Sequence, residues 1–300
     1  MGDEVSTERP TAGPRLGAFP RGELIISAEE LGAQRTREEV LLLDARDPRD
    51  YAAGHLPGAV NLPPSSMEWS LEIEAGRQVD HLLAPPDRIA PLLRACGVRS
   101  ERPVVLYDQG GSYLAARLFW ILDFLGHPNP AVLDGGTAAW QSSGGSLVCE
   151  TAPPPAGDFV PRPDYHKHAD FGYVLECLGR ADVRLCNALP KESFANEAIP
   201  GSLNLPFHDT YETGKLPCLR SPGELDALMR RIASPGEELV VYCGIGYTAS
   251  QDYWVARLLG YPRVRMYDGS LTDWKARGGL LTPAGMALRA ARAHRRASQA

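Results

Sequence analysis

The sequence predicts an α/β protein made of two tandem copies of one unit, each a mainly parallel sheet flanked by helices. Three observations carry that reading. First, Val40-Leu-Leu-Leu-Asp-Ala-Arg-Asp-Pro-Arg-Asp-Tyr-Ala-Ala-Gly-His-Leu-Pro-Gly-Ala-Val-Asn-Leu-Pro63 aligns without a gap on residues 183–206, 143 positions later. Val40, Leu42, Ala45 and Ala52 meet Val183, Leu185, Ala188 and Ala195; Pro57-Gly58 and Asn61-Leu62-Pro63 meet Pro200-Gly201 and Asn204-Leu205-Pro206. Second, further blocks repeat in the same order. Val104-Val-Leu-Tyr-Asp108 faces the run ending in Val240-Val-Tyr-Cys243, and Val132-Leu-Asp-Gly-Gly136 faces Met266-Tyr-Asp-Gly-Ser270. Trp140 faces Trp274, and Gly144-Gly145 faces Gly278-Gly279. Third, short apolar runs alternate with helical segments, the pattern of a parallel sheet covered on both faces.

Taken along the chain, residues 1–20 are rich in Pro, Gly and charge and predict a disordered leader, not a signal peptide. The first copy is expected over 21–150. Thr151-Ala-Pro-Pro-Pro-Ala-Gly157 marks a linker over 151–162. The second copy is expected over 163–282, with strands at 183–185, 239–242 and 264–267 and helices at 221–232 and 248–259. In the last of these, Ala249, Tyr253, Ala256 and Leu258 or Leu259 fall at helical spacing. Ser221-Pro-Gly-Glu224 has the form of an N-cap followed by proline at N1 and an acid at N3. Arg289, Arg292, His294, Arg295 and Arg296 make the tail, 283–300, a frayed basic helix with no assigned function.

Composition excludes several classes. The chain has 300 residues, 44% hydrophobic and 23% charged, as an ordinary globular protein does. A formal net charge of −6 gives no reason to expect nucleic acid or an anionic membrane as partner. No run of about 18 apolar residues is present, so no membrane span is expected, and a cytoplasmic location is the default. The six cysteines, Cys96, Cys149, Cys177, Cys186, Cys218 and Cys243, show no C-x-x-C spacing. Neither a zinc site, another metal, a bound cofactor nor disulfides are therefore expected. Cys186 belongs to a strand, as a small apolar residue.

Cys243 is different. It stands between the strand-forming run Leu239-Val-Val-Tyr242 and the helix expected from 248, in Cys243-Gly-Ile-Gly-Tyr-Thr248. A thiol at the C-terminal end of a strand and before a helix N-terminus meets backbone N–H groups and the positive end of the helix dipole, and both favour the reactive anion. Gly244 and Gly246 let the loop curl around it. In parallel sheets, ligands bind at this edge. One alternative is an ordinary buried thiol. Another is a dinucleotide site, because Gly244-Ile-Gly-Tyr-Thr-Ala249 satisfies G-x-G-x-x-A and Asp268 lies near the position of a ribose-binding acid. Too little chain follows Asp268 for that fold, and Asp134-Gly135 in the other copy makes Asp268-Gly269 a turn. A phosphatase loop needs an arginine where Ala249 stands.

The whole of residues 23–280 resembles the tandem rhodanese-like sulfurtransferases. The resemblance rests on Leu43-Asp-Ala-Arg46, Gly54-His-Leu-Pro-Gly-Ala-Val-Asn-Leu-Pro63, Ile199-Pro-Gly-Ser-Leu-Asn-Leu-Pro-Phe207, Val240-Val-Tyr-Cys243 and the two Asp-Gly…Trp blocks. It implies two rhodanese-like domains, the first catalytically silent, and indeed Asp108 occupies the cysteine position there. It also implies covalent catalysis: Cys243 takes a sulfur from 3-mercaptopyruvate or thiosulfate as a persulfide and passes it to cyanide or a thiol. A thioredoxin-like reductant is among the candidate partners. The amides of Gly244, Ile245, Gly246, Tyr247 and Thr248 would cradle the anionic sulfur, and the Thr248 hydroxyl would add a hydrogen bond or cap the helix. The neutral loop is similar to the mercaptopyruvate type, although Ile245 replaces its serine. Asn187-Ala-Leu189 replaces Asp-Ala-Arg, and no arginine lies within residues 192–198. Loss of such a guanidinium is expected to cost an anionic donor about 2 kcal/mol or more. The alternative is a degenerate module that binds a protein partner or relays sulfur from one. His81, in Val79-Asp-His-Leu-Leu83, resembles the Asp-His-x-Leu-Pro segment whose histidine takes part in substrate binding; a plain surface histidine is the other reading. His55 and Arg46 are expected to be structural.

Overall fold

The apolar runs of both copies form strands in the computed structural model, which describes residues 18–33, 40–74, 76–128 and 130–283. The first copy runs β1 (Ile25–Ile26), α1 (Ala28–Ala33), β2 (Leu41–Asp44), α2 (Pro48–Ala53), β3 (Val60–Asn61), β4 (Glu68–Glu74), β5 (Arg77–Leu83), α3 (Pro86–Ala95), β6 (Val104–Tyr107), α4 (Leu114–Phe124), β7 (Pro130–Leu133), α5 (Gly136–Ser142). The second runs β8 (His168–Ala169), α6 (Phe171–Cys177), β9 (Val183–Asn187), α7 (Lys191–Asn196), β10 (Leu203–Asn204), α8 (Pro222–Arg230), β11 (Glu238–Tyr242), α9 (Ala249–Leu258), β12 (Val264–Tyr267), α10 (Ser270–Ala276). Residues 1–17 of the expected leader and 284–300 of the expected basic tail lie outside the described residues.

Each copy builds a five-stranded parallel sheet in the same order, β1-β7-β6-β2-β3 and β8-β12-β11-β9-β10. The central strands β6 and β11 are buried along their whole length. Helices cover both faces, so these strands need no polar alternation. The antiparallel hairpin β4-β5 belongs to the first copy alone. Ser221 caps α8 in a full capping box with Glu224, as its sequence predicts. The repeated Asp-Gly…Trp…Gly-Gly blocks have one structural cause. Trp140 Nε1 donates to the Ser146 carbonyl at 2.9 Å and Trp274 Nε1 to that of Leu280 at 2.9 Å. Gly145 and Gly279 lie flat against the two indoles, where a Cβ would overlap the ring.

The copies meet through α4 and α9, the helices that follow the two central strands. Both are buried on nearly every side, as befits helices held between two layers. Phe119 packs on Trp254, and the Tyr253 hydroxyl donates to Asp123 at 2.6 Å. Two backbone bonds cross the interface in mirror fashion: Leu83 N–H donates to Asp268 at 2.7 Å, and Leu219 N–H donates to Asp134 at 2.8 Å. The proline-rich segment between the sheets lacks regular structure but is pinned to the first copy. Gly157 N–H donates to Arg94, Phe159 N–H to Val98 and Arg162 N–H to Leu125. No helix among the described residues is long and apolar enough to cross a membrane.

Candidate active site

Cys243 leaves β11 at the C-terminal edge of the second sheet and is buried, 1% exposed. Its loop is braced from outside. The first amides of α10 take the loop carbonyls: Leu271 N–H donates to Cys243 O at 3.1 Å and Thr272 N–H to Gly244 O at 3.0 Å. With those carbonyls turned away, loop amides are left to face inward. That of Gly246 donates to Cys243 Sγ at 3.1 Å. Of the five residues expected to cradle the sulfur, Gly246 is the one whose amide reaches it here. Gly246 has φ +84°, and a Cβ on it would overlap the Asp268 carbonyl oxygen. Only glycine permits this turn.

Ser270 completes the near surroundings. Its Oγ accepts from Cys243 N–H at 3.0 Å and lies 3.9 Å from Cys243 Sγ. Its single proton goes to the Tyr267 carbonyl at 2.8 Å. Ser270 holds φ +50°, a left-handed conformation that costs a non-glycine residue about 1–2 kcal/mol. In the first copy the same place is Gly136, φ +54°. The strained serine thus stands where a cysteine precedes it, and glycine where an aspartate does.

Thr248 is placed differently from its expected capping role. It is itself helical and makes no side-chain cap bond. Its Oγ1 is buried without a hydrogen-bond partner among the described residues. At that point of the loop the chain already follows helical dihedrals, so the hydroxyl does not curl back on the helix amides as a cap must.

The first copy supplies the other wall. Arg117 of α4 is buried and forms an ion pair with Asp268 at 2.6 Å. Its Nη1 donates to Gly246 O at 3.2 Å, and its guanidinium stacks on Tyr247 and Trp120. Asp268 is therefore an interdomain anchor, not a ribose ligand. The Tyr247 hydroxyl donates to Glu68 of β4, and the other Glu68 oxygen is 2.8 Å from His81 Nδ1. His81 sits at φ +63°, its side chain 43% exposed. It is a surface histidine, yet one carboxylate joins it to the cysteine loop. Ile245, 36% exposed, is the apolar side chain the loop presents outward. Among the described residues, no group of three or more His, Cys, Asp and Glu is arranged to hold a metal ion.

The loop after β6 shows what the same frame does without a thiol. The Asp108 carboxylate folds into its own loop, accepting from Gly110 N–H at 2.8 Å and Ala115 N–H at 3.0 Å. Burial pushes its carboxyl above the usual range, against the pull of those two amides. The two sides of the interface also differ in charge. Asp252 of α9 stands where α4 has Arg117, and its carboxylate meets the Cys186 thiol at 3.6 Å. Cys186 is thus fully buried, as expected, but as a donor to an acid.

Burial raises the Asp252 carboxyl well above the usual carboxylate value and pushes Asp134 up to about 7. The folded chain keeps the Asp252 proton where the unfolded chain loses it, so this group's contribution to stability falls as pH rises from about 4. Asp252→Asn removes that titration. Its stability gain over wild type is expected to grow as pH rises from about 4 towards 7, read by urea denaturation. A gain independent of pH would place the proton on another group.

The two Asp-Ala-Arg positions can be compared directly. In the first copy Arg46 closes on Asp44 at 2.6 Å and on the Gly54 carbonyl at 2.8 Å, both side chains buried. His55 is likewise structural, stacked on Tyr51 and bonded to the Tyr51 and Glu150 carbonyls. In the second copy the turn survives: Asn187 Oδ1 accepts from Leu189 N–H at 2.8 Å, as Asp44 accepts from Arg46 N–H at 2.9 Å. Acid and base have been lost together, so no lone buried charge results. The turn beside the cysteine carries no guanidinium.

Sequence reasoning missed Arg117, Glu68 and Ser270. The Ser270 signal was available as the Gly136-to-Ser270 difference between copies. The other two come from the opposite copy, and no spacing announces them.

Comparison with known proteins gives one consistent result. The family model described as Rhodanese-like domain matches residues 27–143 and 173–277. A probable 3-mercaptopyruvate sulfurtransferase of Pseudomonas aeruginosa is 33% identical over 270 residues, 83% of this chain and 94% of that one. A thiosulfate sulfurtransferase of Azotobacter vinelandii is 28% identical, covering 84% and 93%. The crystal structure of SseA from Escherichia coli, described as a 3-mercaptopyruvate sulfotransferase with the rhodanese fold, superposes with a TM-score of 0.72 at 26% identity, covering 82% of this chain and 98% of that one.

Proposed function

Because this chain belongs to the rhodanese-like family and is a sulfurtransferase, we propose that it moves sulfur through a persulfide on Cys243. The observation that carries the proposal is the buried Sγ with the Gly246 N–H aimed at it, at the head of α9. In the first half-reaction the Cys243 thiolate attacks the outer sulfur of the donor. The donor's S–S or C–S bond breaks, and its electron pair leaves with sulfite or with the carbanion that protonates to pyruvate. In the second, cyanide or a thiolate attacks the outer sulfur of the persulfide, and Cys243 leaves as the thiolate. The Gly246 amide stabilises the anion at both stages. The Ser270 hydroxyl is placed to turn from Tyr267 O toward a charged sulfur, and the partnerless Thr248 hydroxyl is a further donor. His81, tied to the loop through Glu68, is proposed to contact the donor. The first copy is proposed to be catalytically silent, since a carboxylate at Asp108 cannot accept sulfur. The cytoplasm is the proposed setting; all six cysteines are free in the described residues, and a thioredoxin-like reductant is a proposed acceptor.

One observation favours a second reading. Leu189 and the outward Ile245 leave the turn and loop beside Cys243 without a guanidinium for a small anionic donor. Transfer from a protein persulfide would suit such a surface. Measuring kcat/KM with 3-mercaptopyruvate and with thiosulfate, side by side with a persulfidated protein donor, separates the readings. Turnover of either small donor supports a small-donor enzyme. Negligible turnover of both, with transfer from the protein donor, supports the relay.

A further inference from the structure

Gly246 is held from two sides. Its N–H donates to Cys243 Sγ at 3.1 Å, while its carbonyl accepts from Arg117 Nη1 at 3.2 Å and from Ser250 Oγ at 3.1 Å. The residue between those two anchors has φ +84° and is pressed against the Asp268 carbonyl. The amide and the carbonyl of one residue lie in adjacent peptide planes hinged at its Cα, so fixing the carbonyl of Gly246 narrows the orientations open to its amide. Arg117 is itself immobilised. Its charge is paired with Asp268 at 2.6 Å, its face is covered by Trp120 and Tyr247, and it is 2% exposed. Asp268 in turn is fixed by Leu83 N–H at 2.7 Å. A charge-assisted bond from so rigid a donor fixes orientation as well as adding energy. The guanidinium is also placed asymmetrically: the equivalent position of the other helix is Asp252, which faces Cys186 instead.

We infer that Arg117, supplied by the first copy, is a positioning residue for the sulfur-bearing loop of the second, fixing Gly246 so that its N–H faces Cys243. The first copy then does more than wall the cleft: it sets the reactivity of a thiol it does not touch. The inference rests on the proposed persulfide chemistry only for its purpose. Its geometry concerns the thiol alone, and the test uses a reagent that needs no sulfur donor.

The experiment is the pH dependence of iodoacetamide alkylation, followed on the Cys243 peptide by mass spectrometry, in full-length wild type, Arg117→Lys, Arg117→Ala and Tyr253→Phe. Lysine keeps the charge beside Asp268 but has no second arm for the Gly246 carbonyl. In Arg117→Lys the alkylation rate at about pH 7 is expected to fall about tenfold. Donor KM is expected to stay within about twofold while kcat falls by about the same tenfold, because Arg117 does not contact the donor. Added guanidinium is expected to restore part of the rate to Arg117→Ala and none to Arg117→Lys. Tyr253→Phe removes a different interdomain bond, to Asp123, and is expected to lower Tm without moving the alkylation profile. If Arg117→Lys does not fold, Asp268→Asn takes its place; it keeps an acceptor for Leu83 but releases the guanidinium, and the same direction of change is expected. A wild-type alkylation profile in Arg117→Lys or Asp268→Asn overturns the inference, as does an equal change in Tyr253→Phe. Wild-type alkylation that responds to Arg117 in a protein that never loads sulfur would leave the inference standing and remove the persulfide reading.

Discussion

Cys243→Ser is expected to lower sulfur transfer from either small donor by at least about 10⁴-fold while leaving the protein folded, with Tm within a few degrees of wild type. The chemistry sets the size of the loss. A serine hydroxyl stays protonated at neutral pH and forms no persulfide, so the covalent route disappears, and nothing else in the loop is a nucleophile. The fold survives because a hydroxyl still accepts from the Gly246 amide and occupies slightly less volume than the thiol in a buried site. Steady-state kinetics beside a thermal melt checks both halves. Residual turnover within about tenfold of wild type would mean that another group carries the reaction.

Gly246→Ala is expected to be nearly as severe and for a different reason. Alanine pays about 1–2 kcal/mol to hold φ near +84°. Its Cβ would also overlap the Asp268 carbonyl, which is fixed at the end of β12. Overpacking of that kind costs about 1–3 kcal/mol, so stability should fall by roughly 2–5 kcal/mol in all. The loop relieves the overlap by moving off Asp268, and the amide leaves the sulfur as it does. Loss of one preorganised donor to a developing anion lowers rates about 10²–10³-fold, and that is the expected loss of kcat. Gly244→Ala is the informative contrast, since a Cβ there meets nothing within 4 Å. Equal losses in the two variants would point to general loop flexibility in place of one aimed amide.

How much of this was legible in the sequence follows from how local each determinant is. The two mainly parallel sheets and the position of Cys243 came from short-range patterns: the gapless repeat, the Asp-Gly…Trp blocks and a cysteine between strand and helix. The Ser221 cap was legible because four adjacent residues decide it. Arg117 and Glu68 were not, because they meet the cysteine loop only after α4 and the β4-β5 hairpin are brought against the second copy. Asp268 was read as a possible ribose acid from its spacing, and the interface made it an anchor for Arg117 and Leu83. Thr248 had the residue type of a cap but not the backbone of one. Asn187-Ala-Leu189 was legible as a departure. That it is a balanced one, with both members of the Asp44–Arg46 pair absent, needed the first copy's geometry beside it.

The central claim is that Cys243 holds the transferred sulfur. Intact and peptide mass spectrometry of the wild-type protein after a single exposure to 3-mercaptopyruvate, thiosulfate or a persulfidated protein tests it most directly. The expected result is a mass gain of one sulfur atom, confined to the peptide carrying Cys243, lost on adding cyanide or a thiol, and absent in Cys243→Ser. No gain with any of the three donors, or a gain on another cysteine that cyanide then discharges, would contradict the account.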